Sequence, residues 1–80
     1  MAAEYLSLEV RDYHVTCIAN PTDGGAWEAE VVFEKATEIS SPIPRGVRRV
    51  IPVLFNSPRS AVNAAVDLAH RLVYRRSDSR

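Results

Sequence analysis

Cysteine occurs once in the 80 residues, at Cys17, and histidine twice, at His14 and His70. A single thiol excludes an intrachain disulfide framework, and one cysteine with two histidines is too few for a cysteine-rich structural zinc site. Three glycines and five prolines are too few for a fibrous or low-complexity chain. No apolar run approaches the ~18 residues needed to span a bilayer. The opening Met1-Ala2-Ala3-Glu4-Tyr5 also lacks the basic and apolar regions of a secretory signal. These absences imply a cytoplasmic protein with no membrane contact. What remains is ordinary for a globular domain, 46% hydrophobic and 25% charged. A chain of this length buries only ~60 to 65% of its unfolded surface. One domain over 1–80 is therefore expected, with an ordered core at about 10–74 and flexible ends.

Formal charge cancels, ten basic against ten acidic residues, but its order along the chain is uneven. Residues 1–44 hold eight acidic and two basic side chains, and residues 45–80 hold eight basic and two acidic. Two readings follow. The basic half can face an acidic partner or nucleic acid, or the two halves can pair as neighbouring strands and neutralise one another, at ~0.2 to 1 kcal/mol for each exposed pair.

Residues 13–19 are rich in β-branched and aromatic side chains and read as a strand, with Tyr13, Val15, Cys17 and Ala19 on one face and His14, Thr16 and Ile18 on the other. After the turn cluster at 20–25, Trp27, Ala29, Val31 and Phe33 alternate with Glu28, Glu30, Val32 and Glu34, a second strand. Trp27 set opposite Ala19 brings both apolar sets onto one face and leaves an acidic reverse. Residues 36–46 break both periodicities and read as a long, mobile connecting loop. Residues 47–55 form a third strand in which Pro52 cannot donate a ladder hydrogen bond, so it belongs at a sheet edge or at a bulge. An open edge is also where a partner strand can add.

Ser57-Pro58 is a helix start: the serine caps free N–H groups and proline suits the first helical position. Ala61, Ala65, Leu68 and Leu72, widened by Val62, Ala69 and Val73, make one apolar stripe that should pack over Trp27, Val31 and Phe33. Residues 5–10 alternate like a strand, but Arg11-Asp12 breaks the phase, so they read as a short extension joined by a bulge, or alternatively as a helical turn. The expected fold is α+β, a two-layer β-β-β-α domain with a three-stranded antiparallel sheet and one C-terminal helix.

No catalytic, cofactor or metal site is expected. Cys17 has no neighbouring base and sits on the core face, and neither histidine has ligand spacing around it. Glu28, Glu30 and Glu34 read as a solvated face. Gly24-Gly25 precedes no helix, so it is a turn and not a phosphate cradle. The candidate partner-binding residues are Arg45, Arg48, Arg49, Arg71, Arg75 and Arg76. Arginine fills nine of the ten basic positions, which suits forked recognition of carboxylate or phosphate. No aromatic residues are interleaved with these arginines as a stacking platform.

Gly25, Trp27 and Ala29 in a G-x-W-x-A pattern, with Phe55, Ser57, Ala61 and Ala64 at the helix entry, resemble a family of small uncharacterised proteins of Burkholderia and related bacteria. The resemblance spans about residues 10–73, and this chain differs by an insertion at 38–46 and by Arg75-Arg76. It implies a hairpin, an extra strand and a C-terminal helix, and no activity. The strand-strand-strand-helix order with the Asp23-Gly24-Gly25 turn is also similar to HicB-like antitoxin domains, without their acidic-Leu-Pro-Gly segment. The expected function is a non-enzymatic binding module that uses the third-strand edge and its arginines to hold a protein partner or a second copy. Nucleic-acid binding through the Arg-rich half, or an antitoxin role, is the alternative.

Overall fold

The computed structural model describes residues 2–35 and 47–78, with side chains through position 74. Four strands precede one helix: β1 (Glu4–Val10), β2 (Tyr13–Pro21), β3 (Trp27–Lys35), β4 (Val47–Phe55) and α1 (Pro58–Asp78). The strands form one antiparallel sheet in chain order, β1-β2-β3-β4. The class is α+β as expected, but the sheet has four strands and not three. The expected loop at 36–46 lies outside the described residues.

The added strand is the segment read as an extension or helical turn. Val10 pairs with Tyr13, so Arg11 and Asp12 are a two-residue hairpin loop, and the break in phase is the turn itself. Arg11 takes φ 55°, the left-handed backbone that such loops need at their first position. No glycine or asparagine marks that position, which hides the hairpin from a reading based on turn residues.

The β2–β3 register also differs from the expected one by two residues. Trp27 faces Pro21, Ala19 faces Ala29, Cys17 faces Val31 and Val15 faces Phe33. A two-residue shift keeps every side chain on its face, so polarity alone cannot tell the two registers apart. The turn decides. Thr22 closes it, its N–H donating to the Ala26 carbonyl at 2.9 Å and its Oγ1 to the same oxygen at 3.0 Å, while Gly25 at φ 80° supplies the left-handed residue.

The helix begins at Pro58 as expected. Ser57 Oγ accepts the Ser60 N–H at 3.1 Å, satisfying one of the free donors of the first turn. The buried line is Ala61, Ala65, Ala69 and Val73, each at 1% exposure or less, spaced four residues apart. Leu68 and Leu72, placed on the central stripe by the sequence, are only half-buried on its flank. Alanines at the seam let the helix axis approach the sheet closely, and α1 lies chiefly over β2 and β3. Beneath it Val15, Cys17, Ala19, Trp27, Ala29, Val31 and Phe33 are all buried.

Pro52 sits where both expectations meet. β4 is an edge strand, and residues 51–53 lie between the pairs Glu28–Leu54 and Glu30–Val50, so three residues of β4 oppose Ala29 alone. The ladder breaks at the residue that cannot donate to it.

Replacing Ala65 by leucine inserts bulk at a fully covered seam position and should cost ~1 to 3 kcal/mol. Ser57→Ala removes the cap and should cost ~1 kcal/mol. Urea unfolding of both variants measures this, and an Ala65→Leu midpoint equal to that of the parent would contradict the close helix approach.

Candidate functional site

The helix lies over the two central strands on one face, and large exposed apolar side chains gather on the outer strands, on both faces of β4. On β4, Val47, Val50, Val53 and Leu54 are each more than half exposed. On β1, Tyr5 is 73% exposed. Of these, β4 is the strand that also carries candidate arginines.

Strand alternation sends those arginines to opposite sides. Arg48 lies opposite Val32 on the face away from the helix, and Arg49 lies opposite Val31 on the helix side. Arg48 Nη1 reaches Glu30 Oε2 at 2.7 Å, and Asn20 Nδ2 donates to Glu30 Oε1 at 3.2 Å. The Arg48 side chain remains 55% exposed against 14% for Glu30, so the pair holds at most ~1 kcal/mol. The glutamate strand and the arginine strand are thus neighbours, and one ion pair joins them across the ladder.

Arg49 comes instead to a groove of about 410 Å³ between β4 and α1. Its apolar lining includes Ile51, Leu68 and Leu72, and Asp67 and Arg71 join Arg49 there. Arg71 Nη2 bonds Asp67 Oδ2 at 2.8 Å, one helical turn apart on an exposed surface. Of the six candidate arginines, the structure therefore brings Arg49 and Arg71 together and sets Arg48 on the other side of the sheet. Arg45 lies outside the described residues, as do the side chains of Arg75 and Arg76, whose backbone belongs to α1. Sequence reasoning missed Asp67, Leu68 and Leu72 as groove residues because helical periodicity assigned the leucines to the core stripe.

The acidic face also needs correction. Glu34 is 7% exposed and Glu30 is held between Asn20 and Arg48, so these two are not freely solvated. Register sets His14 between Glu9 and Glu34, a cross-strand neighbourhood invisible to spacing along the chain. Among the described residues no group of three histidine, cysteine or carboxylate side chains could hold a metal ion. No helix there is long and apolar enough to cross a membrane. His70 Nδ1 lies 2.9 Å from the Val66 carbonyl, and its ring stacks on Tyr74, over which the Arg11 guanidinium sits at 4.6 Å. That contact pins the β1–β2 loop to the end of the helix. Cys17 is fully covered, and burial pushes its thiol from 9.0 up to about 11.

No protein-family model, curated protein or solved structure matches the chain.

Cys17 should resist alkylation near neutral pH until the fold opens, a lag that mass spectrometry reads directly. Its raised pKa disfavours the thiolate in the folded state only. Stability is therefore fully present below pH 9.0 and falls as pH rises toward about 11. A Cys17→Ala variant should lack this component of the decline in urea titrations across that window.

Proposed function

We propose that this chain is a non-enzymatic binding module that engages a protein partner, or a second copy of itself, along the free edge of β4. One observation carries the reading: an edge strand with Val47, Val50, Val53 and Leu54 exposed stands beside Arg48 and Arg49. Edge strands left with apolar side chains and unpaired backbone groups are where strand addition occurs. The only device limiting that addition among the described residues of β4, besides its charges, is the Pro52 bulge. Binding to nucleic acid through the arginines has weaker support. Arg48 and Arg71 each already hold a carboxylate, which cancels charge a phosphate backbone would need.

Light scattering across a concentration series, together with retention of proteins from a lysate, tests the reading. Val50→Lys combined with Leu54→Lys should abolish association or retention without loss of folding, since both positions are exposed. A monomer that retains nothing at any concentration overturns the proposal. A nucleic-acid module would instead show affinity falling linearly with log salt and lost in Arg48→Glu with Arg49→Glu.

A further inference from the structure

The groove between β4 and α1 opens beside the edge and shares Val50 and Pro52 with it, and its chemistry narrows the partner. α1 stands over β2 and β3, so the helix-side row of β4 emerges beyond it. That row brings Arg49 and Ile51 to one wall of the groove, and Leu68, Leu72, Asp67 and Arg71 form the other. A strand added outside β4 alternates its side chains between the two faces of the sheet. Every second guest residue therefore projects over this groove. Leucine and isoleucine on both walls suit an aliphatic guest side chain. The two guanidiniums against one carboxylate leave the groove net positive, and Asp67 is already satisfied by Arg71. Among the described residues no carboxylate lies within ion-pair distance of Arg49. An arginine at a groove rim presents a planar fork that matches a carboxylate in geometry as well as charge.

We infer that the occupant is an extended peptide segment that pairs with β4 as a fifth strand, setting an aliphatic side chain between Ile51 and Leu72 and an aspartate or glutamate on Arg49. The inference rests on the module reading and names its partner as an acidic, apolar, extended segment. A nucleic-acid strand supplies the negative charge but not the second condition, since it lacks an aliphatic side chain.

Panning a phage-displayed library of short random peptides on the full chain is the test. Enriched sequences should alternate aliphatic residues with aspartate or glutamate. By fluorescence anisotropy, a labelled enriched peptide should lose about tenfold in affinity on Arg49→Glu. Replacing its acidic residue by lysine should weaken binding to the parent chain and restore it to the Arg49→Glu variant. Arg59→Glu, an exposed charge reversal in the first turn of α1 that is not part of the groove lining, should leave affinity unchanged. Backbone amide shifts in NMR should concentrate at Ile51, Leu68 and Leu72. Enriched peptides without acidic residues, or affinity indifferent to Arg49→Glu, overturn the inference while leaving the module in place. So does an empty selection from a chain whose association is still lost in Leu54→Lys, a position on β4 outside the groove lining. An empty selection from a chain that also fails to associate overturns both.

Discussion

The close seat of α1 on the sheet governs the rest of the molecule. Ala61, Ala65 and Ala69 are fully covered and occur at intervals of four, forming a ridge with almost no side-chain height. Such a ridge permits a short distance between helix and sheet, and the bulk needed to fill the layer comes from below, from Trp27, Val31 and Phe33. A chain of this size has no second core and no disulfide to fall back on. The layer under the alanines is also narrow. It covers two strands well and two strands poorly, so the helix-side row of β4 emerges beyond it, while Val50 and Leu54, opposite Glu30 and Glu28, are exposed on the reverse face that α1 does not cover.

Charge is arranged in the same economical way. Acidic residues gather in β3 and arginines in β4, so pairing the two strands brings opposite charges together across the ladder, as in Arg48 with Glu30. Alternation then separates Arg48 from Arg49 by the thickness of the sheet. The first is spent on the acidic neighbour, and the second is directed into the groove beside α1. Among the described residues one ion pair, Arg48 with Glu30, joins the acidic and basic halves of the sequence, and the positive character of the groove comes from Arg49 and Arg71.

Much of this was legible in the sequence where period and chemistry agreed. The alternation around Trp27, the cap at Ser57 and the position of Pro52 each have one local cause, and each element formed where that cause placed it. The failures share a different origin. The first hairpin turns on Arg11 in a left-handed conformation, which residue type does not announce. The two-residue difference in β2–β3 register conserves polarity on both faces, so only the geometry of the 22–26 turn resolves it. The groove depends on how far the helix reaches across the sheet, a distance set by side-chain height at the seam, and periodicity carries no measure of that. Leu68 and Leu72 consequently look like core residues in one dimension and line an opening in three.

The irregularity at residues 51–53 has an effect on molecular recognition. A straight edge lets a visiting strand slide by two residues at little cost, because each such step repeats the same face. β4 instead offers two short regular stretches separated by a kink, so a visitor that spans both is locked in phase by the position of the kink. For a guest strand of the kind proposed, the same proline that deters indiscriminate edge-to-edge growth would act as a ruler, selecting by where along its length the guest can bend.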